Sequence, residues 1–216
     1  MSIPTIDGPR QPAASGATEQ LVIFVHGYGA DGQDLIGLAP YFAQKLPNAA
    51  FVAPNGPQRC DMSPMGYQWF AISQSDVSSR LKGVLNAAPI LNQFIDQELE
   101  SHGLTEENLL LVGFSQGTMM SLHVGLRRDR QVAGILGYSG LLAGPELLTD
   151  EIKSKPPVLM IHGDKDEMLP VQHLHDAVQA LGGAGLNVEW HVSQGAGHTI
   201  AQDGLELGMQ FVQRVF

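Results

Sequence analysis

Apolar residues along the chain fall into two rhythms. Short runs of strand length, at Leu21–Val25, Ala50–Ala53, Leu109–Val112, Ala133–Tyr138, Pro157–His162 and Asn187–Val192, alternate with longer stretches of three-to-four-residue spacing. The latter include Leu35, Leu38, Ala39, Phe42 and Leu46, then Arg80–Leu99, Val171–Leu181 and Leu205–Phe216. Apolar runs this short and β-branched read as strands buried on both faces, and the longer periods read as amphipathic helices. Their alternation predicts an α/β protein: a mostly parallel sheet with helices on both faces. Residues 1–19, with Pro4, Pro9, Pro12, Gly8 and Gly16, read as an irregular arm with room for one short edge strand. Residues 20–216 are expected to form a single domain. Pro89 is a candidate kink in its helix. Residues 54–75, rich in Pro, Gly and Met and ending in Gln68-Trp69-Phe70, form an expected loop of a length that is usually functional.

Bulk properties narrow the picture. A chain of 216 residues buries a sizeable core as one domain. A net charge of −10 argues against a nucleic-acid or anionic-membrane partner. The lone Cys60 excludes an intramolecular disulfide and a cysteine-based metal cluster. No stretch approaches the ~20 apolar residues of a membrane span. Met1-Ser2-Ile3-Pro4-Thr5 has neither the basic nor the apolar region of a signal peptide, so a cytoplasmic location is expected.

The candidate chemistry sits at Leu109–Met120, where an apolar run meets Gly113-Phe114-Ser115-Gln116-Gly117 and then a helical pattern. A serine at such a strand-to-helix elbow occupies strained backbone, and its neighbours two residues away press on strand and helix, where only glycine fits easily. Ser115 is thereby lifted above a helix N-terminus, whose free amides and dipole favour a developing negative charge. The plainer alternative is that Gly113 and Gly117 only let a helix pack close to a strand.

Serine needs a base, normally a histidine oriented by a carboxylate. Functional groups in open parallel sheets collect at the C-terminal ends of strands. Of eight histidines, His26 and His162 end strands but precede turn glycines and read as structural, while His102, His123, His173, His175 and His191 fall on helices or inside a strand. His198 lies in the glycine-rich loop after the last strand and is the expected base. For the acid, Asp164, Asp166 and Glu167 all follow the preceding strand, and spacing alone leaves Asp164 and Asp166 open. The backbone N–H of Gln116 and that of Tyr28, in the loop after the first strand, are the expected oxyanion donors. Gly27, Gly29 and Gly32 also fit a dinucleotide fingerprint, but Asp31 would face the pyrophosphate and Phe51–Asn55 supplies no acid for a ribose.

The chain resembles the phospholipase/carboxylesterase family of α/β-hydrolases, which includes bacterial carboxylesterases and acyl-protein thioesterases. The markers are H-G-Y-G at His26–Gly29, G-F-S-Q-G at Gly113–Gly117, H-G-D-K-D-E-M-L-P at His162–Pro170 and G-H at Gly197-His198. The resemblance implies an α/β-hydrolase fold, and at 216 residues there is little room for a separate lid domain. It places the acid on Asp166 with Asp164 structural, supports Tyr28 and Gln116 as donors, and puts Trp69 and Met168 in the acyl pocket. It implies a serine esterase that needs no cofactor or metal and takes a small-molecule ester, with lysophospholipase or thioesterase activity as runner-up and a non-catalytic binding module as the rival from another class. A homodimer is left open. Ala71 stands where the family often has aspartate, and Tyr28 where the thioesterase branch carries leucine; both departures point away from lipidated proteins as substrate.

Overall fold

The computed structural model describes residues 3–72 and 78–216; Met1 and Ser2 of the expected arm, and residues 73–75 of the expected loop, lie outside the described residues. In chain order the strands are β1 (Arg10–Gln11), β2 (Gln20–Val25), β3 (Ala49–Val52), β4 (Gln58–Arg59), β5 (Tyr67–Gln68), β6 (Leu109–Phe114), β7 (Gly134–Tyr138), β8 (Val158–Gly163) and β9 (Val188–Ser193). The helices are α1 (Gly32–Ile36), α2 (Ala39–Ala43), α3 (Ser78–His102), α4 (Gln116–Gly125), α5 (Leu148–Glu151), α6 (Gln172–Gly183) and α7 (Gln202–Val215). Seven strands form one sheet in the order β1-β3-β2-β6-β7-β8-β9. All neighbours are parallel except β1, which runs antiparallel on the edge of β3 with Arg10 opposite Val52.

The two faces divide the strand residues by the two-residue period. Leu21, Ile23 and Val25 of β2 and Leu109 and Leu111 of β6 turn toward α3, α4 and α6. Val22, Phe24, Leu110 and Val112 turn toward Phe42 of α2 and Phe211 and Val212 of α7. Because both faces are covered, these strands are apolar throughout. Parallel running also brings the loops after β2, β6, β7, β8 and β9 to one edge, and every candidate site residue except Trp69, which follows β5, is carried on them.

Local details depart from the periodicity reading. The helix expected over 35–46 is two short ones, α1 and α2, because Pro40 has no N–H to donate back to Ile36. The expected 54–75 loop holds the β4–β5 hairpin, Gln58 paired with Gln68 and Arg59 with Tyr67. Helix α3 runs unbroken through Pro89 for 25 residues. Leu85, one of the apolar residues of this helix, is exposed, since Val84, Ala88 and Leu91 already fill the face toward the sheet. Arg10 in the arm bonds Glu98 of α3, and Ala53 N–H donates to the Pro9 carbonyl, so residues 7–11 extend the sheet. Among the described residues no helix is long and apolar enough to cross a membrane.

Candidate active site

Ser115 sits between β6 and α4 with φ 54° and ψ −113°, a region that side chains rarely adopt. Its N–H donates to the Tyr138 carbonyl at the end of β7, and its carbonyl caps the first turn of α4 by accepting from Thr118 N–H at 3.0 Å. The elbow glycines are required sterically. A Cβ on Gly117 would overlap the Val25 carbonyl oxygen, and one on Gly113 would lie 2.5 Å from Gly117 O.

The loops after β8 and β9 bring Asp166 and His198 together. His198 Nδ1 lies 2.7 Å from Asp166 Oδ2. A carboxylate only accepts, so Nδ1 carries the proton and Nε2 is left as a base. Asp166 Oδ1 accepts from the N–H groups of Met168 and Leu169 at 2.9 and 2.8 Å, which fixes the carboxylate plane. The carboxylate is fully buried and the imidazole is 18 % exposed. The His198 ring packs on Phe114, the neighbour of Ser115, at 5.0 Å between centroids. Asp164 points elsewhere: its Oδ1 accepts from Gly195 N–H and holds the loop that carries His198. His162 lies beneath, with Nε2–H shared between the Leu169 carbonyl at 2.7 Å and Asp166 Oδ2 at 3.2 Å. No metal-holding cluster of three or more His, Cys, Asp or Glu side chains occurs among the described residues.

The loop after β2 lies against the elbow; a Cβ on Gly27 would meet the Phe114 ring at 3.0 Å and Ser115 Cβ at 3.3 Å. His26 organises this loop. Gly56 N–H donates to His26 Nε2 at 2.8 Å, so Nδ1 carries the proton and donates to the Gly27 carbonyl at 2.7 Å. Burial holds the His26 pKa below its ordinary value, which keeps this neutral form. In a trans peptide the N–H points opposite to the carbonyl. Fixing the Gly27 carbonyl therefore fixes the direction of the Tyr28 N–H, which no acceptor among the described residues takes up. The Tyr28 phenol is engaged with buried Cys60; that hydrogen bond, with burial, pushes its pKa up to about 12. The N–H of Gln116, at the start of α4, is free of helical pairing.

Trp69 and Met168 end up in unlike places. Trp69 is 1 % exposed, whereas Met168 stands 72 % exposed two residues beyond Asp166. A cavity of about 480 Å³ opens between Leu81 of α3, Leu141, Leu142 and Ala143 after β7, and His173 and Ala177 of α6. Leu141 of its wall follows Gly140, where a Cβ would lie 2.9 Å from the Ser115 carbonyl oxygen.

Three contributors escaped sequence reasoning. Ser139, at φ 45°, donates from its hydroxyl to the Thr199 carbonyl beside His198 at 3.3 Å. The Gln116 side chain accepts from Trp69 N–H and donates to the Phe70 carbonyl, each at 2.8 Å. Cys60 supports Tyr28. Only the position of Gln116 inside the elbow motif offered any signal; the partners of all three lie far away in sequence.

The mostly parallel sheet, the strained elbow and the loops at one sheet edge define an α/β-hydrolase. The chain belongs to the phospholipase/carboxylesterase family, whose sequence model matches residues 7–216. It is similar to a protein of Gibberella zeae named acyl-protein thioesterase 1, 32 % identical over 94 % of this chain and 93 % of that one. It is also similar to a probable carboxylesterase of Oryza sativa subsp. japonica, 30 % identical over 89 % of this chain and 76 % of the relative. Among solved structures, esterase PE8 matches with a TM-score of 0.96 and 43 % identity, covering 98 % of this chain and 100 % of that one.

Proposed function

We propose that the protein is a serine carboxylesterase that hydrolyses short- to medium-chain esters through an acyl-enzyme on Ser115. The observation that carries this reading is the 2.7 Å bond between buried Asp166 and His198, whose ring packs on the residue next to Ser115. Ser115 Oγ attacks the ester carbonyl while His198 Nε2 takes its proton. Asp166 holds the imidazole tautomer and balances the imidazolium charge. The carbonyl oxygen, now an oxyanion, is received by the N–H groups of Tyr28 and Gln116; losing one such donor typically costs about 2.7–4 kcal/mol of transition-state stabilisation. His198 then protonates the departing alcohol. A water deprotonated by the same nitrogen attacks the acyl-enzyme, releases the acid and restores Ser115. Every proton is carried by protein groups and water, so the scheme calls for no cofactor. The leucine-lined cavity has room for a short or medium acyl chain.

Thioester hydrolysis is the second reading, favoured by the name of the Gibberella zeae relative, acyl-protein thioesterase 1. Another rice relative, 26 % identical over 95 % of this chain, is named a probable inactive carboxylesterase, which keeps the binding-module reading worth testing. Hydrolysis of p-nitrophenyl esters from acetate to palmitate, beside matched acyl thioesters and with Ser115→Ala as blank, separates the readings. A peak on short to medium oxygen esters that vanishes in the variant is expected. A thioester preference moves the assignment to the second reading, and a rate equal to the blank removes enzymatic function.

A further inference from the structure

The segment after β5 joins the two halves of the oxyanion hole. Trp69 donates its indole Nε1–H to the His26 carbonyl at 3.1 Å, at the root of the loop that carries the Tyr28 N–H. Its backbone N–H donates to Gln116 Oε1 at 2.8 Å, the side chain of the residue whose own N–H is the other donor. Gln116 Nε2 returns a bond to the Phe70 carbonyl at 2.8 Å. A backbone N–H can only donate and a carbonyl can only accept, so the amide orientation is unambiguous. Two further bonds, Gly29 N–H to the Tyr67 carbonyl and Tyr67 N–H to the Ala30 carbonyl, tie β5, which leads into this segment, to the loop.

The loop and the elbow meet each other differently. The β2–β6 ladder ends where Val25 faces Gly113. Beyond it, among the described residues, no hydrogen bond joins residues 26–30 directly to residues 114–118; Gly27 only packs on Phe114 and Ser115. Packing sets how close the two halves come but resists sliding weakly, whereas hydrogen bonds fix direction. The Trp69 ring also stacks obliquely on His26, 5.7 Å between centroids, over the side chain that orients the Gly27–Tyr28 peptide.

We infer that Trp69 is a positioning residue that holds the Tyr28 and Gln116 donors in register with each other. The inference rests on the esterase reading above and gives Trp69 a different task from the acyl contact that the family resemblance implies. Trp69 also borders a second cavity of about 270 Å³ with Pro57, Gly83 and Ile90, which shares no lining residue with the leucine-lined one, and an acyl role would be exercised there.

The two tasks leave different kinetic marks. An acyl contact acts on substrate and transition state alike and shows in KM and in chain-length preference; a donor held in place acts on the oxyanion alone and shows in kcat. The test is Trp69→Phe, which keeps an aromatic ring but removes the N–H, assayed on p-nitrophenyl acetate, butyrate and octanoate. The expected result is a fall in kcat of about 10- to 100-fold on all three esters, with KM within about twofold and the ratios among esters unchanged. Affinity for an alkyl boronic acid, which adds to Ser115 as a tetrahedral anion, falls in step with kcat. Gln116→Met, which keeps the backbone donor but removes both side-chain bonds, gives the same signature. Should Trp69→Phe fail to fold, replacement of Trp69 by benzothienylalanine exchanges only the N–H for sulfur. A changed chain-length profile with kcat retained, or no kinetic change at all, overturns the inference. Retained hydrolysis by Ser115→Ala would instead overturn the esterase reading, so the two failures are distinguishable.

Discussion

The two halves of the candidate site are built by different means. Asp166 and His198 come from loops after the adjacent parallel strands β8 and β9, and the bonds that hold them lie within those two loops. Asp166 accepts from Met168 and Leu169 within its own turn, Asp164 holds Gly195, and Lys165 N–H donates to the Ala196 carbonyl. The oxyanion half instead draws on Gly56 and Trp69, which lie outside the strands of the main sheet. His26 is bonded to Gly56 and Trp69, and Trp69 to Gln116, over separations of 30, 43 and 47 residues. The acid–base half is therefore fixed by sheet register, and the oxyanion half by buried side chains that can each be removed without touching the sheet.

The largest expected effect lies in the acid–base half. Asp166→Asn should lower kcat by about 10⁴-fold, because the amide favours the wrong imidazole tautomer, while Asp164→Asn, which loosens only a loop, should cost far less. Steady-state kinetics on p-nitrophenyl butyrate decide it; a reversed order would move the acid to Asp164.

Sequence reasoning left these two acids open until the family pattern chose between them, and the contrast between the halves explains why. Strand ends, the elbow and the order Ser, Asp, His follow from patterns local in sequence, and the parallel sheet brings such ends together automatically. The single helix expected over 35–46 failed for an equally local reason, Pro40, whose effect competes with apolar spacing. The roles of Trp69, Ser139 and the Gln116 side chain depend on which segments meet in space. An apolar tryptophan in a loop carries no sign of the carbonyl its N–H will reach.

Next in size is Gly117→Ala. Its Cβ would overlap the Val25 carbonyl, so α4 and β2 must separate, with an expected loss of at least about 3 kcal/mol measurable by urea unfolding. A variant of near-native stability would show that the elbow and the oxyanion loop are packed less tightly than described. A smaller change is expected in the opposite half. Ser139→Ala removes one bond to the His198 loop and should cost about 1 kcal/mol of stability, with a modest fall in kcat.

His123 serves as a reference outside both halves. Burial in α4, with Arg127 nearby, lowers its pKa to about 4 against an ordinary 6.5. Between those values the unfolded chain binds a proton that the folded chain does not. This contribution to stability is thus complete above pH 6.5 and is lost as pH falls toward 4. His26 and His173 are shifted in the same direction. His123→Leu should make the melting temperature depend less steeply on pH across that window, leaving the pH dependence of kcat unchanged. An altered kcat profile would tie α4 to the chemistry.

The most direct test of the account is covalent. After treatment with a fluorophosphonate, the intact mass should rise by one adduct per chain, and peptide mapping should place it on Ser115. The same treatment of Ser115→Ala should leave the mass unchanged. An adduct on another serine, or an unmodified wild-type chain, would contradict the assignment of Ser115 as the nucleophile that the rest of the site serves.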